Sequence, residues 1–159
     1  MSAFLLLPFL FFQSATDSQI LAIRNNVVYT NHHLHEYKFK QIDHPEGIST
    51  EGGVTTAYWS KDSLKLITDE TYGETGKLVE QYYFENGQLI FVYFIEYDYN
   101  VPFYMKDFSF DKSLRHEDRY YLDNQIIIKW IDEQGKIHIN PQMDKNDLLI
   151  DARKLMALF

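Results

Sequence analysis

The sequence predicts an α+β domain: an N-terminal helix, a meandering antiparallel sheet of about five to seven strands, and a C-terminal helix. Three observations carry this. Apolar residues recur at helical spacing near both ends, the long stretch between them alternates with period two, and that stretch is punctuated by short turn sequences. The 159 residues, 45% hydrophobic and 16% aromatic, suffice for one domain with a sizeable core and leave no room for a second. A net charge of −8, with lysines and arginines scattered along the chain, removes nucleic acid and anionic membrane surfaces as default partners. The absence of cysteine removes disulfides, thiolate zinc sites and cysteine nucleophiles.

The chain opens on an uncharged apolar run, Met1 to Phe12, followed by Gln13-Ser14-Ala15. A run of this length fits the roughly 7–15 residues of a signal-peptide apolar region and falls short of the roughly 18 that span a bilayer. Ala15 supplies the small residue at a cleavage site, although Gln13 stands at −3 and no basic residue precedes the run. The expectation is a signal peptide over 1–15 and a single domain over 16–159, in a periplasmic or secreted protein without a membrane span. The competing reading makes the run a buried segment of the domain. Export without cysteines suits a bacterial periplasm better than a disulfide-stapled secreted domain.

From Asp17 to about Gln41, Ile20, Ile23, Val27 and Leu34 fall on one helical stripe that Leu21 and Val28 widen, with Asp17 or Ser18 as cap. Pro45 and Gly47 mark where that helix has ended. Strands are expected over Gly53–Trp59, Leu64–Tyr72, the segments on either side of Asn86-Gly87, Arg119–Leu122 and Gln125–Ile131, with a short edge strand at Ile137–Ile139. Asn86-Gly87 is the strongest hairpin signal, because a tight turn of this type needs positive φ at both central residues. Continued without a break, its register pairs Phe84 with Leu89, Tyr82 with Phe91, Glu80 with Tyr93, Leu78 with Ile95 and Lys77 with Glu96. A turn at Asp123-Asn124 likewise sets Asp118 opposite Lys129. After Pro141, Leu148, Ala152, Leu155, Met156 and Phe159 form a second helical stripe, with Asp144 as cap. Leu89 to Ile95 is apolar on both faces, so it belongs at the centre, with Leu89, Phe91, Tyr93 and Ile95 on one side.

Tyr82-Tyr-Phe-Glu-Asn-Gly-Gln-Leu-Ile90 and Tyr120-Tyr-Leu-Asp-Asn-Gln-Ile-Ile127 are two versions of one hairpin phrase. With Glu51–Tyr58, Tyr72–Lys77 and Tyr99-Asn-Val-Pro102, they resemble a group of exported proteins of Gram-negative bacteria whose activity is not established. The resemblance covers roughly residues 20–132. It implies a signal peptide, an N-terminal helix and an antiparallel sheet, and supplies no catalytic residues. The hairpins are also similar to the tyrosine-rich repeats of MORN type.

Mechanism-bearing motifs are missing: the sequence has no nucleophile elbow, zinc-protease helix motif, phosphate-binding loop or dinucleotide fingerprint. Three sets of residues nonetheless have chemical potential. His32, His35 and Glu36 stand at i, i+3 and i+4, the spacing at which a helix converges metal ligands, against the plainer reading of a solvated helix end. Glu80 falls among apolar neighbours with Asp69 or Glu70 opposite, and two carboxylates in a partly dry site raise one pKa, as an acid–base pair or cation site requires. Tyr58, Tyr82, Tyr93, Tyr97 and Tyr120 offer an aromatic surface with hydroxyl rims, suited to a protein or glycan partner, or else form the half-buried wall of a sheet. The expected function is a non-catalytic binding or interaction module without a cofactor, with a homodimer as one form of the interaction. A small hydrolase-like or cation-binding protein built on Glu80 is the alternative, and a structural or inhibitory envelope protein is the third.

Overall fold

Three tight hairpins, each with a two-residue loop and a bulge at the same place, organise the chain. In the computed structural model, which describes residues 8–47, 49–141 and 146–159, α1 (Pro8–His33) precedes eight strands and α2 (Asn146–Met156) follows them. The strands are β1 (Lys38–Asp43), β2 (Gly53–Ser60), β3 (Ser63–Tyr72), β4 (Gly76–Glu85), β5 (Gln88–Asp98), β6 (Leu114–Asp123), β7 (Ile126–Ile131) and β8 (Ile137–Ile139). They form one antiparallel sheet in sequence order, so every strand pairs with its chain neighbours. The fold is α+β, with one strand more than expected.

The turns β2–β3, β4–β5 and β6–β7 each hold two residues, flanked by the pairs Ser60–Ser63, Glu85–Gln88 and Asp123–Ile126. Both central residues have positive φ in two of these turns, 50° and 75° at Asn86 and Gly87 and 47° and 63° at Asn124 and Gln125, whereas in the β2–β3 turn only the first does, 56° at Lys61. Directly beyond the next pair, all three ladders shift by one residue, at Tyr58/Trp59, Tyr83/Phe84 and Tyr121/Leu122. The extra residues are Lys65, Ile90 and Ile128. The segment Tyr58–Leu66 is therefore a third copy of the hairpin phrase, hidden in the sequence because its turn is Lys61-Asp62 rather than an asparagine turn.

This bulge corrects the register read from the turn alone. Phe84 does pair with Leu89, but Tyr82 then faces Val92, Glu80 faces Phe94, Leu78 faces Glu96 and Lys77 faces Tyr97. Lys77 makes its ion pair with Glu70 on β3 instead, at 2.5 Å. Lys129 lies opposite Tyr121 rather than Asp118. Since side chains alternate with period two, one inserted residue moves everything beyond it to the other face. Leu89, Val92 and Phe94 thus belong to the α2 side, and Phe91 and Tyr93 to the α1 side.

Each face has its own core. On the α1 side Ile20 and Ile23 pack on Leu66, Tyr83, Phe91, Tyr121 and Ile128. On the α2 side Leu149 and Ala152 pack on Ala57, Ile67, Tyr82, Phe84, Val92, Tyr120 and Leu122. Tyr82, Tyr83 and Phe84 are consecutive and all but inaccessible, which requires both faces of β4 to be covered. Leu21 and Val28 do not widen the helical stripe; they are 58% and 59% exposed. The helix also ends at His33, eight residues short of Gln41, and Lys38–Asp43 pairs as β1 along β2. Among the described residues no helix is long and apolar enough to cross a membrane. The expected cap Asp144 lies outside the described residues.

Replacing Gly87 with valine puts a β-branched residue at φ 75°. The variant is expected to lose about 1–3 kcal/mol of stability. Denaturant titration checks this, and an unchanged midpoint would mean that the turn does not anchor the hairpin.

Candidate functional site

Register places Thr55 of β2, Asp69 of β3 and Glu80 of β4 side by side on the α2 face. His44, one residue past β1, folds its imidazole over Gly53. A Cβ at position 53 would lie 2.2 Å from His44 Nδ1 and 2.5 Å from the Glu70 carbonyl oxygen, so only glycine lets the ring close. His44 Nε2 lies 2.9 Å from Asp69 Oδ1, and Thr55 Oγ1 donates to the same carboxylate oxygen while sitting 3.3 Å from His44 Nε2. An imidazole at that distance from a carboxylate carries its proton on Nε2. The His44 and Asp69 side chains are only 8% and 12% exposed. Buried carboxylates need such partners, because an unpaired charge away from water costs several kcal/mol.

Glu80 has a weaker set of partners. The Tyr82 hydroxyl donates to its Oε1 at 3.3 Å. Burial, then the neighbouring Asp69 and, from α2, Asp151 push the Glu80 carboxyl up to about 7, against the opposing pull of the Tyr82 hydrogen bond and of His44. Glu80 and Asp69 are thus brought together. Glu70 is not: it points to the opposite face, where it binds Lys77 and accepts from the Tyr72 hydroxyl at 3.0 Å. His44, Thr55 and Asp151 complete the cluster, and sequence reasoning missed them because each lies on a different element. Chemically, the cluster sets a carboxyl raised toward neutrality beside a carboxylate whose Oδ1 is engaged by both histidine and threonine.

The five tyrosines divide between two faces. Tyr82 and Tyr120 are buried under α2, where Phe94 contacts both rings and Trp130 stacks on Tyr120. Tyr58 packs against the core on the α1 side, Tyr93 lies among arginines there, and Tyr97 packs against Phe110 at 4.9 Å. They do not form one surface, because the hairpin phrase uses its tyrosines as core. The histidine cluster is also rearranged. Since α1 stops at His33, His35 and Glu36 fall in a 3-10 turn, with His35 Nε2 3.5 Å from Glu36 Oε1. Among the described residues no group of three or more histidine and carboxylate side chains is arranged to hold a metal ion.

A different aromatic surface forms where no periodicity announced it. The connection between β5 and β6 is stitched to the β3–β4 turn by Tyr99 N–H to Thr75 O at 2.8 Å and Phe103 N–H to Glu74 O at 3.0 Å. The Asn100 side chain accepts from Ser109 N–H at 3.1 Å and donates to Asp107 O at 3.0 Å, closing the loop on itself. Tyr99 packs edge-on to Phe108. On this fixed frame Phe103 is 41% exposed, Tyr104 63%, Met105 51% and Phe110 47%, and Leu114, at the start of β6, is 65% exposed. The sequence signal was an aromatic-rich segment, Pro102-Phe-Tyr-Met105 and Phe108-Ser-Phe110, inside a stretch with no helical or strand period to bury it.

A carboxyl with a folded-state pKa of about 7 and an ordinary value of 4.5 binds more protons folded than unfolded between those limits. Its contribution is therefore fully present below pH 4.5 and is lost as pH rises through 7. After allowance for its partial exposure, about 2 kcal/mol of stability should disappear across that window. Glu80→Gln is expected to remove this dependence and to raise the melting temperature at pH 8. Melting curves at pH 5 and pH 8 check both, and an unchanged slope would mean that Glu80 is ionised throughout.

No protein-family model, curated protein or solved structure matches the chain.

Proposed function

We propose that the chain is an exported, non-catalytic interaction module that docks a protein partner through the β5–β6 loop. The observation that carries this is the combination of order and exposure there. The loop's backbone is hydrogen-bonded within itself and to the β3–β4 turn, yet four of its large apolar side chains, Phe103, Tyr104, Met105 and Phe110, face water. A hydrogen-bonded loop that presents several large apolar groups to water has already met part of the entropy cost of binding. Aromatic side chains and methionine are enriched in interface cores, and Phe103, Tyr104, Met105 and Phe110 have that composition. The apolar run ahead of Thr16 supports export, since its length and lack of charge suit a signal peptide.

The acid–base reading keeps one favourable observation, the Glu80 carboxyl held near neutrality. Against it stands the occupation of that site: Asp69 is engaged by His44 and Thr55, and Glu80 faces Tyr82 and α2. The cluster is more simply a polar seam beneath α2.

Cross-linking of the mature protein in native envelope extract should trap a specific partner with the wild type and lose it with a Tyr104→Ser, Phe110→Ser double variant that melts as the wild type does. Retention of every cross-link by that variant would remove the loop as the docking surface, and a cross-linked species of twice the chain mass would make the partner a second copy. Protein recovered from the native host is expected to begin near Thr16 or Asp17 on N-terminal sequencing. An intact Met1 in soluble cytoplasmic material would overturn export.

A further inference from the structure

On the α1 side a cavity of about 420 Å³ opens between the helix and the sheet. The buried rings of Tyr83, Phe91 and Tyr121 lie at its base, the more accessible Val27, Val28, Tyr93 and Ile131 form its apolar wall, and Arg24 and Arg119 stand at its rim. The volume lies in the range of small-molecule sites, which combine an apolar body with a few placed polar groups. Asn31 and Gln81 line the wall, each with its amide oxygen 3.0 Å from the Tyr83 hydroxyl. A phenol has a single proton, so it donates to one amide while the other turns its NH₂ toward the phenol oxygen; both amides are held in place by one hydroxyl.

Charge makes this cavity unusual on a chain of net charge −8. Arg115 and Arg119 share one carboxylate, Glu117, so that trio keeps one positive charge in excess. Arg24 and Lys129 stand 5.6 Å and 5.7 Å from the centroid of the same Tyr121 ring, and among the described residues neither has a carboxylate within ion-pair distance. The Lys129 ammonium is pulled below its usual range by burial and then by Arg24, against Asp17. Of these cations Arg24 and Arg119 line the cavity; Arg24, with no carboxylate at ion-pair distance among the described residues, gains from an anion placed beside it, and the Arg119 guanidinium, 5.3 Å from the Tyr93 centroid and shared with Glu117, adds a second planar donor. A phosphate alone would meet the charge and leave the apolar wall unused.

We propose that this cavity is a binding site for a small organic carboxylate carrying a planar ring, the carboxylate seated on Arg24 and Arg119 and the ring against the accessible wall of Val27, Val28, Tyr93 and Ile131. The test uses the full chain and three probes: benzoate, its neutral isostere benzamide, and inorganic phosphate. In NMR titrations benzoate should saturate and shift the Ile131 methyl and the Arg24 and Arg119 side-chain N–H signals. Benzamide should bind about tenfold more weakly or worse, since it loses charge-assisted hydrogen bonds. Phosphate should leave the Ile131 methyl in place. Arg24→Gln and Arg119→Gln should each weaken benzoate severalfold, whereas Lys61→Gln, at the β2–β3 turn, should leave it unchanged. Equal binding of benzoate and benzamide, or benzoate binding indifferent to both arginine variants, would overturn the carboxylate site. Equal response to phosphate and benzoate would reduce the cavity to a general cationic patch and overturn the ring subsite. No benzoate response at all would overturn the whole proposal.

Discussion

The feature on which the rest of the structure depends is the β-bulge set just beyond each two-residue turn. Strand pairing alone would continue the turn's register, and Glu80 would then lie across from Tyr93 and Lys77 across from Glu96. The inserted Ile90 instead brings Phe91 opposite Tyr83 and Phe94 opposite Glu80. Leu66, Phe91 and Ile128 each occupy or adjoin the same bulge position and all three pack into the α1-side core. A bulge that recurs at one place in three hairpins also adds local twist at regular intervals along a sheet of eight strands.

Two helices of unequal length then decide where polar groups are tolerated. Beneath α2 the apolar row Ala57, Ile67, Tyr82, Val92 and Tyr120 gives way, one row further along the strands, to Thr55, Asp69, Glu80, Phe94 and Asp118. That row sits at the margin of the helix, and each polar member is matched: Thr55 and His44 to Asp69, Tyr82 to Glu80, and Trp130 Nε1 to Asp118 at 2.6 Å. Satisfied polar groups at the border of a core cost little and limit where the helix can settle, whereas the same groups unpaired would open it.

Turns, helices and strand identities were legible in the sequence because each rests on local chemistry: positive φ at Asn86-Gly87, helical spacing at Ile20 and Ile23, alternation along β3. The bulges were not legible. Nothing in Leu89-Ile-Phe-Val distinguishes an inserted Ile90 from its neighbours, since all are apolar and both faces are buried. β1 was missed for the opposite reason. Lys38-Phe-Lys-Gln-Ile-Asp43 has little to bury, and it becomes a strand by lying along the free edge of β2, where its lysines also discourage further pairing. The Asp69–Glu80 neighbourhood survived these errors because it depends on the β3–β4 turn, whose ladder is unbroken. His44 could not have been assigned to it: a residue in a Pro-Gly loop is placed by the closure of that loop on Gly53, not by any period.

The same division between local and tertiary causes bears on how the tyrosines are used. Twelve tyrosines in 159 residues first suggest a recognition surface, and the repeated Tyr-Tyr phrase strengthens that impression. In the fold the phrase sends its first tyrosine to the α2 core and its second to the α1 core, so Tyr82, Tyr83, Tyr120 and Tyr121 are all buried. A tyrosine fills core volume as phenylalanine does but brings a hydroxyl that must find a partner, and in this chain the partners lie at the core margins: Glu80 for Tyr82, Asn31 and Gln81 for Tyr83, Arg24 for Tyr121. The hairpin tyrosines therefore act as struts reaching from the centre of each core to its polar edge. Phe103, Tyr104 and Phe110, which no repeat supplies, stay exposed in the β5–β6 loop, where ring exposure comes from loop closure rather than from the pleat of a strand.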